Sequence, residues 1–169
     1  RTILIIMIVA GMAATLEAKE VKLKITGPWE AAGRVYKVGP ELLQFFGTFQ
    51  GIMYIDDGKG ELDAAAFVCP ATEELNVNNG QTIAHGRCMV TESGGHSVYA
   101  EFTCKGDMDG CQGKFKLTGG EGPFKGIQGS SDRVIRSSLG AVAVNLESGA
   151  VVHAAEGLAV WPNLVYTLP

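Results

Sequence analysis

Gly119-Gly120-Glu121-Gly122-Pro123-Phe124-Lys125-Gly126-Ile127-Gln128-Gly129 follows a short alternating segment, Lys114-Phe115-Lys116-Leu117-Thr118. Glycines at this spacing read as a tight turn followed by backbone that passes close to other backbone. Phe124, the one large side chain in the stretch, is predicted to be buried between them. A dinucleotide or phosphate loop fails on spacing. After Gly120-x-Gly122 the fingerprint needs a third glycine where Lys125 stands, Pro123 interrupts the start of a helix, and no Gly-Lys-Ser/Thr follows.

Upstream of that turn the chain reads as a succession of short strands. Segments at about Thr82–Thr91, Ser97–Lys105 and Cys111–Thr118 are separated by Glu92-Ser93-Gly94-Gly95 and by a turn around Asp107 and Asp109. A turn signal about every ten residues is the pattern of an up-and-down barrel. On the second of these segments Val98, Ala100, Phe102 and Cys104 are expected inward and Tyr99, Glu101 and Thr103 outward. Towards the N-terminus, Glu20–Thr26 alternates strictly and is expected to end at Gly27-Pro28-Trp29. Arg34–Val38 reads as a second strand, Phe45–Ile55 as a third, and Asp56-Asp57-Gly58-Lys59-Gly60 as a hairpin turn before Leu62–Cys69. Residues 70–80 read as the longest irregular stretch, a loop at a barrel mouth, where ligands enter. Downstream, Asp132–Leu139, Ala141–Leu146 and Ala150–Ala155 read as closing strands. The fold class expected is all-β, a small antiparallel up-and-down barrel of about eight strands.

Composition agrees. The 169 residues suit one domain with a real core, and 23 glycines, about twice average usage, suit short strands better than helices. A net charge of −4 and the lack of a basic, aromatic-interleaved patch argue against a nucleic-acid partner.

The first residues carry a different signal. Arg1 precedes the apolar run Ile3–Ala14, and Thr15-Leu16-Glu17-Ala18 closes it. A basic start, about a dozen apolar residues and a small-residue end describe a secretory signal peptide, with cleavage after Ala18 or near Ala13. The run would span only about 20 Å as a helix, short against a hydrocarbon core of about 30 Å. The domain plan is therefore 1–18 as signal peptide or N-terminal membrane anchor, 19–157 as barrel, and 158–169 as an apolar C-terminal tail. Membrane contact is expected only if residues 1–18 are retained. The compartment is extracytoplasmic, periplasmic or secreted.

Cys69, Cys88, Cys104 and Cys111 fit an exported chain with two disulfides. Cys104 and Cys111 share the apolar parity of consecutive strands and flank one turn, so they are expected to bridge a hairpin, leaving Cys69 for Cys88. The rival, a four-cysteine zinc site, lacks any C-x-x-C at spacings of 19, 16 and 7. His85, His96 and His153 lie in no metal or catalytic motif. Asp107-x-Asp109-Gly110 lacks the rest of a calcium loop and reads as a turn. No nucleophile elbow occurs, and Ser130-Ser131 carries no catalytic weight. Glu101, Glu121, Asp132 and Glu156 are scattered. No catalytic residue, cofactor or metal is expected.

Thr118 to Gly129, written T-G-G-x-G-x-F-x-G-x-x-G, resembles the late β-hairpin of the allene oxide cyclase and dirigent superfamily of small antiparallel barrels. Gly47-Thr48-Phe49-Gln50-Gly51 resembles a glycine-flanked strand of the same proteins. The matched residues Gly119, Gly120, Gly122, Phe124, Gly126 and Gly129 are fold residues. The polar N-terminal motif of the cyclases, with Asn, a Ser-Pro pair and Glu, has no counterpart around Val21–Val38, and the Asp and Arg residues of dirigent proteins have no match, so no functional residue carries over.

The functional expectation is a non-catalytic exported module that docks to a membrane-associated assembly or holds a small apolar ligand. Trp161, Leu164 and Tyr166 of the tail are the candidate docking residues, with a membrane-protein complex or a second copy of the chain as partner. The alternatives are a cofactor-free enzyme of cyclase or dirigent type acting on a hydrophobic substrate, and a structural cell-envelope protein.

Overall fold

A computed structural model describes residues 19–138 and 150–169. The apolar leader 1–18 and the expected strand Ala141–Leu146 lie outside the described residues, as does the side chain of His153. Eight antiparallel strands follow one another: β1 (Lys19–Lys37), β2 (Leu42–Ile55), β3 (Ala65–Asn76), β4 (Thr82–Thr91), β5 (Ser97–Asp107), β6 (Gly110–Gly120), β7 (Gln128–Ser138) and β8 (Ala150–Leu168). Each pairs with the next, and β8 returns to β1 to close a barrel. Closure leaves none of the eight described strands as a sheet edge.

Alternation is the local cause of these strands, and it runs further than the punctuation suggests. Ile25, Gly27, Trp29 and Ala31 are all buried on one parity, so β1 continues through Gly27-Pro28 instead of stopping there. Pro28 lies outward and forgoes one ladder hydrogen bond; the strand keeps its register with β8 through it (Gly27↔Ala159, Pro28↔Leu158, Trp29↔Gly157). The two strands expected over 20–26 and 34–38 are therefore one. The loop expected over 70–80 is mostly strand as well, because β3 extends to Asn76, and Asn76 and Gly80 close the turn with a 2.8 Å hydrogen bond. On β5 the inward set is Val98, Ala100, Phe102 and Cys104, as alternation requires.

The largest correction concerns the C-terminus. Residues 158–169 are no tail: β8 runs to Leu168, and Trp161, Leu164 and Tyr166 are 2%, 0% and 5% exposed. The barrel thus extends past the boundary expected at residue 157. The reason is a bulge. Leu23 pairs with Leu164 but Ile25 with Trp161, so Lys24 faces both Pro162 and Asn163. The same shift appears against β7, between Ser130↔Val165 and Val134↔Val160. One extra residue flips the parity of everything beyond it, so Ala159 and Trp161 point inward on odd numbers and Leu164 and Tyr166 on even ones. A proline is tolerated at such a site because the ladder is already interrupted.

Both disulfides form as expected, Cys69–Cys88 and Cys104–Cys111. Cys69, Cys88 and Cys104 are buried in the barrel core. The first bridge joins β3 to β4, and the second spans the β5–β6 hairpin diagonally, since Cys104 lies opposite Gly113 and Cys111 opposite Gly106.

The glycine stretch closes one end of the barrel. Its centre is a single 3-10 turn, Gly122–Phe124, and Phe124 is fully buried with Ile127 beside it. Gly122 takes φ +54, and a Cβ there would lie 2.1 Å from the His96 ring. His96 in turn donates its backbone N–H to Glu92, whose carboxylate, also bonded to the Gly94 N–H, is held at about 2.

Two measurements follow from this packing. Trp161→Ala should destabilise the protein by about 3–5 kcal/mol, the cost of emptying a packed aromatic site, whereas a solvent-facing docking residue would cost almost nothing; chemical denaturation reads the difference. Replacing Cys104 and Cys111 together by alanine should cost about 2–3 kcal/mol for so short a closed loop, and unchanged melting would show that the bridge contributes no stability.

Candidate functional site

The end of the barrel opposite Phe124 is hollow. A cavity of about 130 Å³ opens there, walled by Trp29, Leu43, Phe45, Phe49 and Leu75 and edged by Glu73, Thr82 and Asp107. A smaller space of about 40 Å³ lies against it, and Trp29, Phe49, Glu73, Asp107 and Ser137 line both. Arg133, Phe102 and Cys104 belong to the inner space alone. The site therefore has an apolar outer chamber and a polar floor.

Glycines make room for its aromatic wall. Gly33 and Gly47 face each other across β1 and β2, and a Cβ on either would come within 2.4 Å of the Phe45 ring. Gly86 likewise lets Phe102 approach, where a Cβ would meet its ring at 2.8 Å. Ring-to-ring contacts then run inward: Phe45 to Phe49 at 5.6 Å, Phe49 to Trp29 at 5.4 Å, and Phe49 to Phe102 at 6.4 Å. Tilted and edge-on arrangements of this kind suit the ring quadrupoles.

Arg133 is the unusual residue. It takes an inward position on β7 between Ser131 and Ile135, in the segment where the bulge breaks pairing with β8. Its partner on β6 is Gly113, which puts no side chain in its way. The residue is 4% exposed, and neither Nε nor Nη1 has a hydrogen-bond partner. The guanidinium lies 4.1 Å from the centre of the Phe102 ring and 5.8 Å from that of Trp161, a cation–π arrangement that recovers part of the desolvation cost. Burial pulls its pKa down to about 10, so it stays charged at neutral pH. The Nε1 groups of Trp29 and Trp161 are also buried without a partner. Buried polar groups are normally satisfied, and two of these three orphaned side chains, Trp29 and Arg133, line the inner space.

Glu73 stands on the wall common to both spaces. Burial pushes its carboxyl up, with the Thr82 hydroxyl pulling weakly the other way. Thr82 also reaches the Asp107 carbonyl at 3.4 Å.

Arg133 and Glu73 were not legible as site residues. In Ser131-Asp132-Arg133-Val134-Ile135 either parity carries one aliphatic residue, so alternation does not say which faces inward. Glu73 shares its parity with Phe67 and Cys69, which was the available signal, but Pro70 and the pair Glu73-Glu74 masked it as loop. Of the histidines and carboxylates singled out from the sequence, Asp107 edges the site while accepting the Asp109 N–H at 3.0 Å in its turn. His85 is exposed and bonded to Thr72 at 3.0 Å, and Glu101 pairs with Lys116 at 3.5 Å on the outer wall. A shallow depression on that outer wall, about 360 Å³, is lined by His85, Arg87, Lys114 and Lys116 and is a solvated sheet face. Among the described residues no group of three His, Cys, Asp or Glu is placed to hold a metal ion, and no helix is long and apolar enough to cross a membrane.

No family description, curated protein or solved structure matches the chain.

The raised Glu73 pKa has a signed consequence. The folded state holds this proton to higher pH than the unfolded chain does, so stability is lost as pH rises through that interval. Glu73→Gln, which does not ionise, should therefore melt above the wild type at about pH 7, with the gap closing towards about pH 4, where glutamate gains its proton in both states. Equal melting of the two proteins at both pH values would show that the carboxylate is not strained by burial.

Proposed function

We propose that the protein is an exported barrel that holds a small, largely apolar ligand in its open end. The observation that carries this reading is the cavity itself: one end of the barrel is plugged by Phe124, and the other keeps an aromatic-walled chamber with unpaired polar groups at its floor. Such a chamber with few polar groups is the usual form of a small-molecule site. Its volume is close to the roughly 150 Å³ of an apolar cavity known to take benzene. Docking through the C-terminal residues loses its basis, since Trp161, Leu164 and Tyr166 build the barrel interior. Export is supported by the two disulfides, which oxidising compartments sustain, and by the composition of the leader; periplasmic and secreted destinations fit equally.

A second reading, a cofactor-free enzyme of the kind the cyclase and dirigent resemblance implies, is favoured by one feature. Glu73, Thr82 and Arg133 line adjoining spaces, as a site that steers a reactive substrate requires. Recovery of a ligand chemically unchanged after incubation separates holding from conversion.

Ala31, buried and lining the outer chamber, supplies the test. Toluene titrated into the wild type should bind with measurable heat, and Ala31→Phe, which fills the chamber from its wall, should abolish that heat while leaving the far-ultraviolet circular dichroism of the barrel intact. Identical binding by both proteins would place the ligand elsewhere and overturn the reading.

A further inference from the structure

The ligand can be specified further, on the ligand-holding reading above, from what the floor of the cavity demands. Arg133 is a charge taken out of water with two nitrogens unpaired. Moving such a cation into a protein interior costs several kcal/mol unless an opposite charge and hydrogen bonds compensate it. Phe102 and Trp161 supply π-faces but no acceptor. The two carboxyl groups lining the same space do not supply one either. Among the described residues Arg133 forms no ion pair with Glu73 or Asp107, and Asp107 is exposed, with its carboxylate already taking the Asp109 N–H. The barrel thus surrounds Arg133 with aromatic surface, supplies no acceptor to its Nε and Nη1, and places the residue on the lining of the inner space.

We propose that Arg133 is the anchor for the carboxylate of a small amphiphilic acid, whose apolar body lies in the outer chamber against Trp29, Leu43, Phe45 and Phe49. The order of the two spaces sets the order of the ligand. The head group enters first, into the small inner space that Arg133 lines, and the body fills the larger outer one. Size limits the body to about one aromatic ring or a short alkyl chain, on the scale of the benzene-filled cavity. Charge-assisted bonds made away from water are stronger than neutral ones, so the site favours an acid over its neutral isostere. Asp107 and Glu73 at the rim raise the opposite possibility, a ligand amine held at the mouth, and the experiment distinguishes the two.

Phenylacetate, phenylacetamide and phenethylamine share a ring and differ in the head group. Calorimetric titration of each into the wild type should rank phenylacetate first, by about 10- to 100-fold over the amide, the range expected of a hydrogen bond to a charged group. Arg133→Met should bring the acid down to the level of the amide while leaving amide binding in place. This variant should still fold, since replacing an unpaired buried charge by an apolar group of similar length removes a cost. Arg133→Lys should retain a preference for the acid. If Arg133→Met does not fold, the acid-to-amide ratio in the wild type decides alone. Equal affinity for acid and amide overturns the anchor but leaves the ligand-holding barrel standing, and so does preference for the amine. Failure of all three to bind overturns both.

Discussion

Closure of the sheet by β8 along the length of β1 is the constraint on which the rest depends. From Lys19↔Leu168 to Val35↔Ala150 the last strand pairs with the first, so none of the eight described strands is left as a sheet edge. Closure also creates an inside. Only then do the alternate side chains of eight strands meet, and only then does a residue such as Arg133 find itself enclosed and not on one face of an open sheet.

The interior is graded along the barrel axis. At the glycine-rich end Phe124, Ile127, Leu62 and Val98 are packed to near-zero exposure. In the middle Trp161 stands edge-on to both Phe67 and Phe115, at 5.9 and 5.6 Å. Towards the other end the packing gives way to the cavity, and there the polar groups collect. Rigid packing below and free volume above is a physical division of labour: the lower layers over-determine the positions of the strands, and the upper ones are left with groups whose preferences the protein does not satisfy by itself. The bulge at Pro162-Asn163 serves both halves, since it turns Leu164 and Tyr166 into the core and relaxes the β7 ladder beside Arg133.

Much of the fold was legible because its signals are local. Two-residue alternation marks a strand whatever it pairs with; the inward set of β5 and the Cys104–Cys111 pairing follow from that parity and from the turns between strands, and Cys69–Cys88 is the pair that remains. The errors came where local and global signals conflict. Gly27-Pro28 and Pro70 punctuate the chain like turns, yet β1 and β3 run through them because pairing on both sides holds the backbone extended. The apolar residues 158–168 looked like a separate tail because the bulge breaks their alternation, and a parity that changes midway is invisible until the neighbouring strands show which residues are paired.

By itself, then, the amino-acid sequence determined an all-β chain of alternating strands, a buried Phe124 in a glycine turn, and four cysteines disposed for two bridges, because each of these depends on residues close together along the chain. Tertiary structure alone decided that Trp161, Leu164 and Tyr166 face inward, that the described residues leave a cavity at one end of the barrel, and that Arg133 and Glu73 line adjoining spaces there. Those outcomes depend on the register of β8 against both β1 and β7, a relation between segments more than a hundred residues apart at its widest, and no local pattern encodes it.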